Sequence, residues 1–451
     1  MDIWTHETDL VVTCGVDLLQ PTLKEIRGMG YRTFNESETV FCVRGTMRDA
    51  MRINLWSRCA HRVLFPVLTN AYARDLDELY YKILEVPWEE WLDPDQFLTV
   101  NSIAFNDTCR DTRMPTLRTK DAIVDRLRQR LGRRPDAGGG YEGAAIYTYW
   151  NETTLHCFID TTGEPLSRRG YRHTPWRAPM QETLAAAAVL ATPFSYDMPF
   201  VMPMCGSGTA AIEAALIAIN RAPGSFRDHF AFMSLAGYGD LDDWARIRKG
   251  LDRGWYAVEK DFSVTQTDPS APTLHRVTPS AIWNLMTTDA RKQERPADCP
   301  VAPIICTDIA QGAIDATREN ARAAGVTELI QSSVCDFAAT PLPPAPAVLF
   351  MNPEYGDRLG DLDELPATYA RIGEFLKTSC RGFHIYILSG NTGLSVNLGL
   401  KASRVLPCHN GGIDCKLLEF HIFDQMPPTA TDGTRQHSTT IDDNQQPAHP
   451  L

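Results

Sequence analysis

Two short strings carry residue types suited to chemistry. In the first, Ala347-Val348-Leu349-Phe350-Met351 runs straight into Asn352-Pro353-Glu354-Tyr355-Gly356. A short apolar run followed by a turn signal predicts a buried strand. An Asn at its carboxyl end would sit at the ligand-binding edge of an open α/β sheet. Pro353 fixes the backbone and removes a donor, leaving its carbonyl free to accept. An amide oxygen and a carbonyl can together accept both protons of an exocyclic amine. Tyr355 offers a stacking face for a base. The set suits methylation of an amino group on a nucleobase; the plain alternative is an Asn-Pro turn that ends a strand.

The second string is Cys205-Gly206-Ser207-Gly208-Thr209, between the apolar Phe200–Met202 and an Ala-rich segment. Glycines there permit a tight turn and close approach of backbone to a cofactor. The amino end of the following helix favours a carboxylate. A structural strand–helix joint would use the same glycines. An acid ending the next strand would hold ribose hydroxyls. Asp308, in Ile305-Cys306-Thr307-Asp308-Ile309, fits that place and is followed directly by a helix. It stands far beyond the usual spacing of about 20 residues, so a segment must be inserted between. Glu259 is the rival acid, and an N-cap is the structural alternative for Asp308.

These residues need a scaffold to hold them. From about residue 180 the chain alternates strand, glycine turn and helix. Strands are expected at 200–202, 303–306, 329–334, 347–351 and 383–388, with helices at 209–220, 312–324 and 365–378. Two adjacent strands, 401–407 and 415–423, close the series. The pattern implies an α/β fold with a mainly parallel sheet and an antiparallel edge. Residues 222–300 break the rhythm and read as an insertion. Before 175, short strands and helices suggest small α+β modules. The helix expected over 120–131 carries Ile123, Leu127 and Leu131 on one face and Arg126, Arg128 and Arg130 on others. Gly138-Gly139-Gly140 marks a turn. Residues 425–451, rich in Pro, Thr, Asp and Gln, read as a disordered tail.

The 451 residues suggest about three domains. At 43% hydrophobic and 22% charged, the chain can bury a core. No apolar run reaches the ~18 residues of a membrane span, and residues 1–9 lack the apolar stretch of a secretory signal. Twelve cysteines without a C-x-x-C pair argue against a zinc site and a disulfide scaffold, and for a reduced, cytoplasmic protein with no metal. The net charge of −12 hides basic patches. Arg110–Arg134 holds nine Lys/Arg against three Asp, and Leu166–Met180 holds four Arg and no acid. Phosphate affinity depends on where charge sits. Arg118, Lys120, Arg126, Arg168, Arg169 and Arg172 are the candidate RNA contacts; a solvated helix face or loop is the alternative.

In order, the chain holds Leu55-Trp56-Ser57-Arg58-Cys59, Val124-Asp125-Arg126, Arg168-Arg169-Gly170-Tyr171-Arg172 and Ala178-Pro179-Met180-Gln181-Glu182-Thr183-Leu184-Ala185. Pro203 to Thr209, Glu213-Ala214-Ala215, Arg221-Ala222-Pro223-Gly224, Arg318-Glu319-Asn320-Ala321, Asn352 to Gly360 and Asn410-Gly411 follow. Together they resemble the THUMP-containing RNA guanine-N2 methyltransferases, and most of all the bacterial group acting on 23S ribosomal RNA. That resemblance implies S-adenosylmethionine (SAM) as cofactor and RNA as partner. It implies a Rossmann-like, seven-stranded class I methyltransferase domain over 163–424. A ferredoxin-like segment (1–58) and a THUMP domain (59–162) would precede it. Pro203, Met204, Cys205, Gly206, Ser207, Gly208 and Thr209 would lie along SAM, Asp308 would hold its ribose with Ile309 also binding the cofactor, and Asp336 would face the adenine amine. Asn352 and Pro353 would accept from guanine N2, and Tyr355 would stack on the flipped base. Two positions depart from the family: Met202 stands where an acid is usual, and Glu354 where a second proline is usual. The resemblance also implies that a second fused methyltransferase, present in some bacteria, is absent. A transfer-RNA enzyme of the same type and an inactive RNA-binding homologue are the competing readings.

Overall fold

The computed structural model describes residues 3–106, 109, 111, 113–133, 136–137, 143–177, 179–238, 279–354 and 365–422. Tyr355, Glu259, the Gly138–Gly140 turn and the tail from 425 lie outside them.

The first half runs β1 (Thr8–Cys14), α1 (Leu19–Gly28), β2 (Thr33–Phe34), β3 (Val40–Gly45), α2 (Met47–Trp56), β4 (Ala60–Tyr72), α3 (Leu76–Glu85), β5 (Phe97–Phe105), α4 (Arg113–Leu131), β6 (Asp136–Ala137), β7 (Ala144–Asn151) and β8 (Thr154–Asp160). All its strands join one sheet, in the order β2-β3-β1-β4-β8-β7-β5-β6. Alternation sets its faces. Leu10, Val12 and Cys14 of β1 point inward, with less buried residues between them. The long β4 pairs β1 on one side and β8 on the other, so one strand serves both modules. β5 and β7 pair in parallel and are joined by a crossover through α4. Asp75 caps α3, accepting from the amides of Asp77 and Glu78 at 3.1 and 2.9 Å.

The second half runs α5 (Glu182–Leu190), β9 (Phe200–Pro203), α6 (Thr209–Ala218), α7 (Pro279–Lys292), β10 (Ile304–Asp308), α8 (Gln311–Ala323), β11 (Ile330–Val334), β12 (Val348–Met351), α9 (Leu365–Ser379), β13 (His384–Ser389), α10 (Thr392–Ser395), β14 (Arg404–Asn410) and β15 (Ile413–His421). The sheet order is β11-β10-β9-β12-β13-β15-β14. β9, β10, β11, β12 and β13 are parallel; β15 runs against both its neighbours. The expected antiparallel edge is thereby refined. The reversed strand is second from the edge, because the closing hairpin folds its later strand inward. β9 and β12 are buried throughout, as a sheet covered on both faces requires.

The described flanks of the inserted segment pack onto the first half. Phe230, Phe232 and Trp283 join its core, with Trp283 centred 4.8 Å from Phe230. In return Cys14, Leu18 and Cys59 enter the core beneath the second sheet, beside Tyr171 and Leu184. Among the described residues, no helix is long and apolar enough to cross a membrane.

Candidate active site

Strand order reverses at β9: β10 lies on one side and β12 on the other. Such a switch point opens a crevice at the carboxyl ends of the strands. The turns after β9, β10 and β12 deliver Cys205–Thr209, Asp308 and Asn352 to that edge.

The glycine turn is shaped by left-handed backbone. Met204, Gly206 and Gly208 have φ of +56°, +56° and +75°. A Cβ on Gly208 would stand 2.7 Å from Thr317 Cγ2, so glycine is required there for space as well as conformation. Asp308 is tied to this turn. Its Oδ2 accepts the Gly206 amide at 3.0 Å and its Oδ1 the Ala310 amide at 3.0 Å. Asp308 is not the helix cap that the sequence allowed, since Ala310 holds the N-cap place of α8; it turns the chain after β10 and locks the end of that strand to the glycine loop. Each oxygen keeps a further lone pair for a ligand hydroxyl. Beside it Ile309 is 74% exposed, an apolar side chain left uncovered at the crevice. Cys205 is buried. The Cys306 thiol beside it is pushed well up in pKa, by its hydrogen bond to Cys205 and by burial. Such a thiol is a packing group and not a nucleophile.

Asn352 carries the sharpest signal. Its Oδ1 is buried and accepts nothing from the described residues, where buried acceptors are almost always paired. Pro353 is buried beside it. Glu354 is half-buried, and the Tyr369 hydroxyl donates to its carbonyl at 3.3 Å. Burial raises the Glu354 carboxyl above its ordinary pKa, Arg177 opposes the shift and Asp308 adds to it.

Several residues at the crevice were not singled out from the sequence. Trp176 lies against two backbones: a Cβ on Gly312 would be 2.6 Å from its Cη2, and one on Gly206 3.9 Å from its Cδ1. Asn320 anchors this strap. It donates to the carbonyls of Thr174 and Ser207 at 2.9 and 3.3 Å, and its Oδ1 accepts the Thr174 amide at 3.0 Å. Asn320 stood within the Arg318–Ala321 string without a role assigned to it, and the hint for Trp176 was Gly312 in the first turn of a helix, where close approach explains a glycine. Asp336 follows β11. It caps a short turn through the Ala338 amide at 2.9 Å and receives the Arg371 guanidinium at 3.0 Å. Any ligand amine there must share it with Arg371.

The basic candidates divide. Arg169 is 1% exposed. It donates to the Leu166 carbonyl at 2.8 Å and pairs with the buried Glu213 at 3.4 Å. Tyr171 donates to the same carboxylate at 2.9 Å. Arg172 pairs with Glu182 at 3.2 Å and reaches Thr209 Oγ1 at 3.3 Å. These two arginines hold the strap and the glycine loop, and the expectation that they meet RNA is corrected on burial and pairing. Arg126 forks onto Glu89 at 2.6 and 2.8 Å, which leaves it half-buried and neutralised. Arg118 pairs with Asp77 at 2.6 Å and lies over Tyr80. Arg168 stays exposed, with Glu164 at 3.4 Å. Lys120 makes no ion pair among the described residues. The density of Arg on α4 therefore overstated its free charge, because α3 and the loop after it present matching acids. Among the described residues, no three metal-ligating side chains converge.

A seven-stranded sheet in this order, with the glycine turn, ribose-type acid and Asn-Pro element at its switch point, defines a class I methyltransferase domain. Comparison with known proteins agrees. Residues 169–419 match the family described as RMKL-like, methyltransferase domain. Residues 9–64 match the RlmL ferredoxin-like domain, and 73–137 the THUMP domain. The chain belongs to the RMKL-like methyltransferase family. The Ribosomal RNA large subunit methyltransferase K/L of Syntrophotalea carbinolica is 32% identical over 410 residues, covering 89% of this chain and 52% of that protein. The chain thus spans about half the length of that relative. The Synechocystis sp. protein slr0064 is 31% identical, over 82% of this chain and 86% of its own. The crystal structure of SMU.472 complexed with SAH superposes with a TM-score of 0.73 at 26% identity, covering 92% of this chain and 98% of that one.

Proposed function

We propose that this protein transfers the methyl group of SAM to the exocyclic N2 of a guanine in 23S ribosomal RNA. The observation that carries the reading is the buried, unpartnered Oδ1 of Asn352 at the carboxyl end of β12. It is an acceptor awaiting a donor, next to a cofactor-shaped turn. The THUMP match supports an RNA partner, the name of the K/L relative supports large-subunit ribosomal RNA, and the SAH held by SMU.472 supports SAM.

The residues present fit that cofactor. The glycine turn and the first amides of α6 can receive its carboxylate. Asp308 can accept from ribose hydroxyls, and exposed Ile309 offers an apolar face to the adenine. When bound, SAM supplies an electrophilic methyl group. The chain supplies positioning. Guanine N2 is a weak nucleophile because its lone pair is delocalised into the ring. Asn352 Oδ1 and the Pro353 carbonyl accept its two N–H groups and hold the amine pyramidal, so that the lone pair faces the methyl. Tyr355 stacks on the base. The acceleration comes from orientation and fixed dipoles.

The test is transfer of labelled methyl to unmodified 23S RNA and, separately, to unmodified tRNA, followed by nucleoside separation. The expected result is N2-methylguanosine from 23S RNA alone, lowered about 100-fold or more by Asn352→Ala. Label in tRNA alone would move the substrate to the transfer-RNA class. No label, with no SAM binding, would make the protein an inactive RNA-binding homologue.

A further inference from the structure

We infer that Glu354 reads the base: its carboxylate accepts the N1–H of the guanine whose N2 amine is held by Asn352 and Pro353. This rests on the guanine-N2 reading and adds to it the residue that distinguishes guanine from the other amino-bearing bases.

The placement comes from the chain itself. Glu354 follows directly on the proline whose carbonyl is one of the two amine acceptors. Tyr369 pins that backbone through the Glu354 carbonyl at 3.3 Å. The side chain is half-buried, and its carboxyl has no hydrogen-bond or ion-pair partner among the described residues. The charges it senses, Arg177 and Asp308, belong to the two walls of the same crevice. A carboxylate at the crevice that no protein donor claims is free to accept a ligand N–H. Asn352 Oδ1, buried and unpartnered among the described residues, and the Glu354 carboxylate, open to a ligand, therefore stand within three residues of each other.

The Watson–Crick edge of guanine carries two donors side by side, the N2 amine and N1–H. With N2 on Asn352 and Pro353, the neighbouring donor is N1–H. A carboxylate only accepts, and a bond to it is charge-assisted. Adenine and cytosine present an unprotonated ring nitrogen at the matching place, and its lone pair would face the carboxylate. An Asn-Pro pair alone grips any exocyclic amine; Glu354 rejects those whose neighbour is not a donor.

The experiment uses the full chain and a short 23S fragment that accepts label, carrying guanine or 2-aminopurine at the labelled position. 2-Aminopurine keeps the amine and lacks N1–H. The wild type should prefer guanine in kcat/KM by roughly 10- to 100-fold more than Glu354→Ala or Glu354→Pro does. Glu354→Gln, which keeps an acceptor oxygen, should recover part of that preference. Because both bases are tested on the same protein, loss of fold cancels from the ratio. An unchanged ratio in the variants overturns the inference. So does an unchanged ratio with a raised KM for SAM, which would assign Glu354 to the cofactor. If the wild type binds SAM but the label in the guanine fragment is not N2-methylguanosine, the guanine-N2 reading is overturned and the inference falls with it.

Discussion

Gly208 and Thr317 illustrate how much of this site is decided by single contacts. The turn after β9 would tolerate many residues but for the left-handed φ of +75° and the methyl 2.7 Å from where a Cβ would stand. Gly208→Ala should cost about 1–3 kcal/mol through strain and clash. It should also weaken SAM binding, because Thr317 Oγ1 donates to the Gly206 carbonyl at 2.9 Å and would be displaced. Thermal melting and calorimetric titration with SAM measure both; a variant that melts and binds like its parent would refute the account. At this scale the sequence was informative in part. Glycines between a strand and a helix announce a turn, and Asn-Pro after an apolar run announces a strand end. Which atom crowds Gly208, and which two amides claim Asp308, depends on α8 and on residues a hundred positions away. Arg169 was misjudged for a related reason. An arginine in an acid-free run looks exposed until the fold brings Glu213 to it.

Elements were legible through period and punctuation. The βα units after 200 follow the expected order, with ends displaced by no more than three residues. Helices α2 and α3 were not anticipated although their signals stand in the sequence: Leu76, Leu79, Tyr80, Ile83 and Leu84 recur at helical spacing behind Asp75, and Met47, Ala50, Met51 and Leu55 do so behind the Thr46–Asp49 capping box. Their stability comes from packing and from caps such as Asp75. Leu131, read as part of the buried face of α4, is 42% exposed where the helix runs off the sheet. Strand β4 has a consequence for acid stability. Burial, with Arg62 adjacent, holds the His61 imidazole down to about 4. The ordinary value is 6.5, so between pH 6.5 and 4 the unfolded chain binds a proton that the folded chain refuses. Stability is therefore lost as pH falls through that window, by up to about 3 kcal/mol from this group. His61→Gln should flatten the decline between pH 7 and 5 in urea unfolding. A variant with the same pH slope as the parent would exclude His61 as the cause.

The halves of the molecule are not separable beads. The guanidinium of Arg169 also bonds the carbonyl of Arg58, so the strap of the catalytic half closes on the end of α2. Glu25 on α1 accepts the amides of Arg58 and Cys59 and the hydroxyl of Ser57, which fixes the same corner from the other side. Removing one member leaves buried charge uncompensated. Arg169→Ala should destabilise the whole chain by about 3–5 kcal/mol. A single cooperative transition should persist, because both cores share this cluster. Two separated transitions in calorimetry would show the halves to be independent. For the same reason a fragment beginning at residue 163 should not fold, since Cys14, Leu18 and Cys59 complete its core.

The strand shared by the two N-terminal modules has a metrical consequence. With β4 common to both, and that sheet bolted to the catalytic half, the span from helix α4 to Asn352 is a fixed length. A THUMP module that grips one feature of an RNA then presents to the crevice only nucleotides lying one set distance from it. On the proposed function the protein would act as a caliper: the target would be chosen by how far it stands from the handhold, and Asn352, Pro353 and Glu354 would verify what the caliper delivers. Inserting base pairs between handhold and target would move methylation to another nucleotide or end it, with every residue of the site unchanged.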